Sequence, residues 1–290
     1  MPQLDSSVRF QSRRVRSLTS SDQTLLVKLA PGIGLRSWHP LETPPRITIE
    51  LGPARPTPTP APVHAPVVTR RGPRPVVIDP GHGGDDVGAQ SPTGVMEKEI
   101  TLAVARRLAR ILESRGRAVR LTRDGDQGRV LTDRTALANR LDATVFISLH
   151  ANASTVASVA GAETYYMSLD GASDEAAAAT AALENRAGSS ADGRSPLDLI
   201  LWDLAQAEVL NESSRLALAV QGRLNARLSL RDRGVKQAPF VVLTGATMPA
   251  ILVEVGFLSN PSEAQRLTQP ESQQQLAEAL AAGVEDFLGR

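Results

Sequence analysis

Two histidines and a glutamate occupy positions in this sequence that suit metal-ion chemistry. His82 follows the apolar run VVI at residues 76–78, and His150 ends the run TVFISL. Glu97 stands where the first helix after His82 is predicted to begin. Two neutral imidazoles and one carboxylate make an open zinc site, whose bound water has a pKa of about 7. These residues therefore predict a hydrolytic metal centre, although a histidine after a strand is also typical of a packed turn residue.

A further carboxylate lies inside the apolar run AILVEVG at residues 250–256. Glu254 would be costly to bury there without a partner. One interpretation is catalytic, because a carboxylate that is not a ligand is needed to take a proton from water and deliver it to a leaving group. The other interpretation is a structural ion pair with Arg134 or Lys236, with Glu163 as the alternative catalytic carboxylate. Both stay open, since sequence does not prove that these residues converge in space.

The elements that must position these residues alternate between strands and helices. Strands are predicted at residues 76–79, 118–123, 143–150, 161–168, 240–246 and 250–256, and helices at 98–115, 132–141, 172–187, 196–229 and 271–288. This order predicts an α/β fold with a mostly parallel central sheet flanked by helices, in which the strand at 161–168 lies at an edge. Ligands bind such sheets outside the carboxyl ends of the strands, where both histidines stand.

A shorter β-rich stretch precedes this pattern. Residues 24–29, TLLVKL, and 46–51, RITIEL, read as short strands, and VRF at 8–10 reads as a third. We interpret residues 1–51 as a small β module. Residues 52–75 are rich in proline and predict an extended, semi-rigid linker before the domain at 76–290.

Composition excludes several classes of function. With 32 basic and 31 acidic residues the net charge is +1, and aromatic residues make up 3%, so the chain lacks both the basic field and the stacking platforms of nucleic-acid-binding proteins. There are no cysteines, so any metal must be held by His, Glu or Asp. No apolar stretch approaches the ~20 residues of a transmembrane helix. The loop GHGGDDVG also lacks the G-x-G-x-x-G spacing of dinucleotide-binding sites.

Four stretches of the chain resemble a known family. VVIDPGHGGDDVGA, MEKEITLAVA, FISLHANA and PAILVEVGFLSNPSEAQRL are similar to the signature blocks of zinc-dependent N-acetylmuramoyl-L-alanine amidases of type 3, the cell-separation amidases. The resemblance implies one zinc per chain and cleavage of the amide between N-acetylmuramic acid and L-alanine in peptidoglycan, in cell-wall remodelling and daughter-cell separation. By motif, His82, Glu97 and His150 match the zinc ligands and Glu254 matches the catalytic glutamate. Glu99 competes with Glu97, and the motif favours Glu97.

The same resemblance carries implications for location. The segment DQTLLVKLAPGIGLRSWHPLETPPRITIEL resembles the C-terminal part of AMIN, an envelope-targeting domain that precedes such amidases. The implied substrate places the protein in the periplasm or cell envelope, whereas residues 1–17 show no signal-peptide pattern. A non-catalytic, peptidoglycan-binding relative is the alternative, because fold does not guarantee chemistry.

A helical interruption at 170–232 suggests regulation. Amidases of this family often insert a helical segment here that covers the zinc and is displaced by a LytM-type activator. The alanine-rich stretch 172–187 has helix propensity but little apolar area to anchor it, and the small-residue loop 188–193 can hinge. Glu184 is predicted to occupy the open position on zinc, with Glu175 as second choice. The alternative is a surface helix whose glutamates are solvated.

Overall fold

The computed structural model describes residues 14–21, 24–30, 33–42, 45–53, 72–168, 171–188, 196–228 and 231–289. The chain divides into two compact units, with the boundary at residues 70 and 71. In the first unit, β1 (Val15–Ser21) pairs with β2 (Thr24–Leu29) and β3 (Ile33–Glu42) pairs with β4 (Pro45–Pro53), both antiparallel. β2 and β4 were predicted; β1 and β3 were not. The predicted strand at 8–10 and most of the linker, residues 54–71, lie outside the described residues.

The second unit is built on one six-stranded sheet. Its strands are β5 (Val76–Pro80), β6 (Val119–Leu121), β7 (Val145–Asn152), β8 (Ala162–Met167), β9 (Asp232–Ala238) and β10 (Ala250–Phe257). Its helices are α1 (Glu97–Ser114), α2 (Leu131–Arg140), α3 (Glu175–Glu184), α4 (Pro196–Leu228), α5 (Pro261–Thr268) and α6 (Pro270–Leu288). The strand order is β6-β5-β7-β10-β8-β9, and the pairs are parallel except β10 with β8. The predicted α/β fold with a mostly parallel sheet is confirmed. Among the described helices, none combines the length and apolar character needed to cross a bilayer.

Side chains of the central strands alternate between two apolar cores, one on each face of the sheet. Val76 and Ile78 of β5 pack with α1, α4, α5 and α6, whereas Val77 packs with α2 and α3. Leu252 of β10 belongs to that second core. Because strand side chains alternate with a period of two, Glu254 points to the α2 and α3 face as well. Burial on both faces explains why these strands are continuously apolar in sequence.

Two predictions about strands are wrong. The apolar run 240–246 contains a short 3-10 helix, Val241–Leu243, in place of a strand. Its side chains are buried against α2, so the run reflects burial and not extension. The strand at 161–168 is also not an edge strand, because β9 pairs along its outer side. β9 escaped prediction because its sequence, DRGVKQA, is polar, which is typical of an edge.

The helical interruption at 170–232 is partly integral to the fold. Leu216, Ala217, Val220 and Leu224 of α4 are fully buried, and this half of α4 packs on α6 and β8. Residues 189–195, at the predicted hinge, lie outside the described residues. Only the segment before the buried half of α4 is left to act as a separable lid.

The crossing of α4 and α6 gives a paired stability prediction. A Cβ added at Gly283 would lie 2.5 Å from the Cα of Val220, so Gly283→Ala forces the helices apart and should cost about 1–3 kcal/mol. Gly222 is exposed on α4 and has nothing within 4 Å of such a Cβ, so Gly222→Ala should stabilise by about 0.5–1 kcal/mol. The free energy of unfolding in urea measures both. Equal stability of the two variants would contradict the close crossing.

Candidate metal centre

The carboxyl ends of two neighbouring strands bring the predicted histidines together. His82 lies in the loop after β5, His150 lies in β7, and their ring centroids are 4.9 Å apart. Glu97, the first residue of α1, and Glu184, the last residue of α3, complete the group. One ligand atom from each of the four residues lies within 4.8 Å of the others, and all four residues are buried.

The side chains of this group are in close contact, and His150 Nδ1 is hydrogen-bonded to Glu97 Oε1 at 3.0 Å. The Nε2 atom of His82 lies 3.1 Å from Glu97 Oε1 and 3.1 Å from Glu184 Oε2, and His150 Nδ1 lies 2.6 Å from Glu184 Oε2. Nevertheless, within the described residues, His82 Nε2 and both oxygens of Glu184 have no hydrogen-bond partner. Buried polar atoms are normally satisfied. Two imidazoles and two carboxylates therefore converge with most of their facing atoms unsatisfied, and such a group could bind a metal. Its donor set is one that zinc accepts.

His82 is held in one orientation by Asp86. The His82 backbone is left-handed, with φ of 60°, which turns the ring toward the group. Its Nδ1 bonds the Oδ2 of Asp86 at 2.9 Å and leaves Nε2 to face the two glutamates. Such a carboxylate partner sets the tautomer and basicity of a ligating imidazole. Asp86 is not among the predicted site residues, although its position four residues after His82 in the same glycine-rich loop could have indicated it.

Two buried arginines anchor the loop that carries His82. Arg134 donates to Asp79 Oδ1 at 2.9 Å, to the Pro80 carbonyl at 2.8 Å and to the His82 carbonyl at 3.0 Å. Arg123 donates to the neighbouring carbonyl of Gly81 at 2.7 Å. Charge-assisted bonds to consecutive carbonyls restrict the backbone directly. These arginine contacts are not predictable from the sequence, because both arginines are distant from the loop along the chain.

Glycine is required at two points where backbone meets the group. A Cβ at Gly81 would lie 2.5 Å from Cε1 of His150, so the Gly81 backbone sits against the imidazole ring. A Cβ at Gly88, where φ is +67°, would lie 2.6 Å from an oxygen of Glu97. No side chain fits in either gap. These glycines allow the backbone to pack on the histidine and the glutamate.

Glu97 is fixed by backbone donors. Its Oε2 accepts from the Ala89 amide at 2.7 Å, and its Oε1 accepts from the Ala151 amide at 2.9 Å. Glu99, the competing residue, is exposed on α1 and lies outside the group. The structure therefore brings Glu97, and not Glu99, to the two histidines.

Glu254 lies beside the group on the same face of the sheet. In β10 it stands opposite His150 of β7 on one side and opposite Glu163 of β8 on the other. It is fully buried, and in the described part of the chain neither of its oxygens has a hydrogen-bond partner. The predicted ion pairs are wrong, because Arg134 pairs with Asp79 and Lys236 Nζ lies 3.2 Å from Glu163.

Burial and the nearby carboxylates dominate the electrostatics. Burial lowers the pKa of His82, but Glu97, Asp86 and Glu184 outweigh it and raise the pKa to about 12. Burial also lowers the pKa of His150, but the carboxylates of Glu184 and Glu97 outweigh this effect and raise it to about 9. Burial and other carboxylates together raise the pKa of Glu254 well above its ordinary value. The pocket is anionic and strongly favours a cation.

Helix α3 closes one side of the group with small side chains. Ala177, Thr180, Ala181 and Glu184 form its buried face, and Asn152 of β7 donates to Thr180 Oγ1 at 3.1 Å. Glu175 is exposed at the opposite end. Beside the group lies a cavity of about 270 Å³. The cavity is lined by His82, Asp86, Gly88, Ala89, Ala153, Leu183, Glu184 and Arg186.

Comparison with known proteins points to one family. Residues 76–286 match the family model described as N-acetylmuramoyl-L-alanine amidase. The chain is 37% identical over 218 residues to N-acetylmuramoyl-L-alanine amidase AmiA of Escherichia coli (strain K12), covering 73% of this chain and 75% of that protein. It is 38% identical over 224 residues to AmiC of Neisseria meningitidis serogroup B, covering 76% of this chain and 54% of that protein.

Solved structures agree with this match. N-acetylmuramoyl-L-alanine amidase AmiC2 of Nostoc punctiforme superposes with a TM-score of 0.59 at 32% sequence identity, covering 76% of this chain and 99% of that chain. The amidase from Clostridium difficile 630 gives a TM-score of 0.58 at 32% identity, covering 75% of this chain and 97% of that chain. The buried His and Glu group lies within the matched region. The chain therefore belongs to the N-acetylmuramoyl-L-alanine amidase family.

Proposed function

We propose that this chain hydrolyses the amide between N-acetylmuramic acid and L-alanine in peptidoglycan, with one zinc ion held by His82, Glu97 and His150. Two imidazoles and a carboxylate are the donor set of many catalytic zinc sites. The proposal is supported by the buried, converging donor atoms and by the absence of a hydrogen-bond partner for His82 Nε2 among the described residues. Family membership supplies the reaction class.

The observation that carries the chemistry is the position of Glu254. Bound zinc would act as a Lewis acid toward the amide carbonyl and would acidify water. Glu254 stands next to His150 in the sheet register and is not a member of the four-residue group. Its raised pKa suits a carboxylate that takes a proton from the attacking water and then gives it to the departing alanine nitrogen. Glu163 is engaged in ion pairs and so is less available for that role.

The metal assignment predicts a clear loss on substitution. His82→Ala and His150→Ala should each abolish stoichiometric zinc, because each removes one of three ligands. Asp86→Asn should weaken zinc affinity about 10- to 100-fold, whereas Asp85→Asn, at an exposed neighbour, should not. Competition with a chromophoric chelator measures these affinities, which should fall as the pH falls because protons compete for both imidazoles. Full zinc retention in both histidine variants would refute the assignment.

The variant Glu254→Gln distinguishes a role in catalysis from a role in zinc binding. The amide is similar in size to the carboxylate but cannot act as a base, so turnover should fall about 10²- to 10⁴-fold. Zinc content should stay at one per chain, since Glu254 is not a proposed ligand. Dye release from labelled peptidoglycan measures the activity. If neither the unaltered chain nor its Glu184→Ala variant releases dye, although both bind peptidoglycan and zinc, the non-catalytic alternative is correct.

We further propose that α3 is an inhibitory lid whose Glu184 takes the fourth ligand position. The support is that Glu184 Oε2 lies 2.6 Å from His150 Nδ1 and 3.1 Å from His82 Nε2, in the place where a substrate carbonyl or water would need to be. The buried face of α3 is mostly alanine and threonine, so its release loses little apolar contact. A LytM-type activator could displace it only by binding the open state more tightly.

Glu184→Ala should therefore raise basal activity on peptidoglycan, and deletion of residues 172–193 should raise it at least as much. The exposed Glu175→Ala on the same helix is the matched control and should leave the rate unchanged. Initial rates of dye release at saturating zinc measure the effect. A Glu184→Ala rate no higher than that of the unaltered chain would show that α3 does not inhibit.

For the first unit we propose an AMIN-like role in envelope targeting, and for the protein a periplasmic or cell-envelope location with action in cell separation. The support is the β-strand content of residues 15–53 and the peptidoglycan substrate of the family. Deleting residues 1–71 should preserve hydrolysis of soluble muropeptides and reduce retention in the envelope. Loss of zinc in that truncation would contradict a separate module.

A further inference from the structure

Arg233 stands at the start of β9, at the same edge of the sheet as the metal group. Its Nε donates to Glu163 Oε2 at 3.0 Å, and its guanidinium carbon lies 5.0 Å from the ring centroid of Phe257. Phe257 ends β10 and lies opposite Asn152 in the sheet register. The guanidinium plane is therefore held from two sides, by a carboxylate and by an aromatic ring.

The two terminal nitrogens of Arg233 are uncommitted. In the described structure neither Nη1 nor Nη2 has a hydrogen-bond partner, and the side chain keeps 19% of its surface exposed. A guanidinium normally offers its Nη pair as a planar fork for two parallel bonds to a carboxylate. Here the fork is oriented and partly desolvated but faces no acceptor. Such pre-organisation lowers the entropy cost of binding an anion.

The charge of Glu163 does not require Arg233 alone. Glu163 Oε2 also lies 3.2 Å from Lys236 Nζ, and its Oε1 accepts from Asn152 at 3.1 Å. Lys236 is shared with Asp174, the N-cap residue of α3, at 3.3 Å. Glu163 thus has a second cation and a neutral donor. A purely structural role would leave the Arg233 fork unexplained.

The fork lies within reach of a substrate held at Glu254. Glu163 is the direct cross-strand neighbour of Glu254, and such neighbours have Cβ atoms about 5 Å apart. The ion pair between Glu163 and Arg233 extends this distance, so the guanidinium of Arg233 lies roughly 7–10 Å from the carboxylate of Glu254. An extended peptide covers about 3.5 Å per residue, so a group two or three residues past the scissile amide can reach it.

We propose that Arg233 binds a carboxylate of the stem peptide on the alanine side of the scissile amide. This inference rests on the proposed function, because it needs substrate to be cleaved at Glu254. The peptide side of the substrate carries carboxylates, whereas the sugar side offers neutral hydroxyl and amide groups, and a cationic planar fork selects the former. Arg233 is therefore a specificity-determining residue that acts on binding of the peptide.

The test measures ligand binding by isothermal titration calorimetry in a zinc-loaded chain that carries Glu254→Gln, which slows hydrolysis, and Glu184→Ala, which removes the proposed inhibitory ligand. The probes are N-acetylmuramoyl-L-alanyl-D-glutamate and its diamide, in which both carboxylates are blocked. Adding Arg233→Met should weaken binding of the dicarboxylate about 10- to 100-fold and leave binding of the diamide unchanged. Arg231→Met, at an exposed arginine two residues earlier, is the matched control and should change neither affinity.

Three results distinguish the explanations. Equal loss for dicarboxylate and diamide, or no loss for either, overturns the proposal. Arg233→Lys keeps the charge near Glu163 but lacks the fork, so full recovery of the dicarboxylate affinity in this variant assigns Arg233 a structural role and also overturns it. Failure of both the unaltered chain and its Glu184→Ala variant to hydrolyse peptidoglycan would refute the proposed function, while the charge-selective binding would still be measured independently.

Discussion

Concentrated buried carboxylate charge is the constraint on which this structure depends. Glu97, Glu184, Glu254 and Glu163 come together at one end of the sheet, and each is almost completely removed from solvent. Lys236 and Arg233 offset Glu163, and Glu97 and Glu184 face two histidines. Among the described residues Glu254 has no such partner, and burial among the other carboxylates raises its pKa well above the ordinary value. Buried charges are tolerated when they are paired or coordinate a metal. The raised pKa values of both histidines express the same demand for a cation, which protons or a metal ion can meet.

Rigidity is distributed unevenly around this charge. The loop of His82 is fixed by arginine bonds to its carbonyls, and Glu97 is fixed by two backbone amides. By contrast, Glu184 arrives on a short helix whose buried face is mostly small side chains. The proposed ligands therefore sit on the well-anchored part of the fold, and the proposed inhibitor sits on the part that costs least to move. This division matches what a regulated hydrolase needs, a preformed centre and a separable cover.

The edge strand β9 contacts both the well-anchored part of the fold and helix α3. Lys236 contacts both Glu163, the cross-strand neighbour of Glu254, and Asp174, the N-cap residue of α3. Arg233 contacts Glu163 and presents its free nitrogens where a peptide would lie. This single polar strand thus supplies two cations for Glu163, an ion pair with the N-cap residue of α3 and the proposed peptide contact. The ion pair between Lys236 and Asp174 is half-exposed on the Asp174 side and contributes modestly, so it restrains α3 without fixing it.

Sequence alone determined the α/β fold and most of the residues of the site. Continuous apolar runs mark strands buried on both faces, and the carboxyl ends of parallel strands meet at one edge, so His82 and His150 could be expected to converge. The period of two along β10 then decided that Glu254 shares their face. Tertiary structure alone decided that Arg134 pairs with Asp79 and that Lys236 pairs with Glu163, so that neither is the partner of Glu254. It also showed that the run 240–246 is not a strand and that β9 forms the edge. Those outcomes depend on contacts between residues far apart in the chain. The pattern of apolar and polar residues indicates which positions are buried, but it does not identify the residues that they contact.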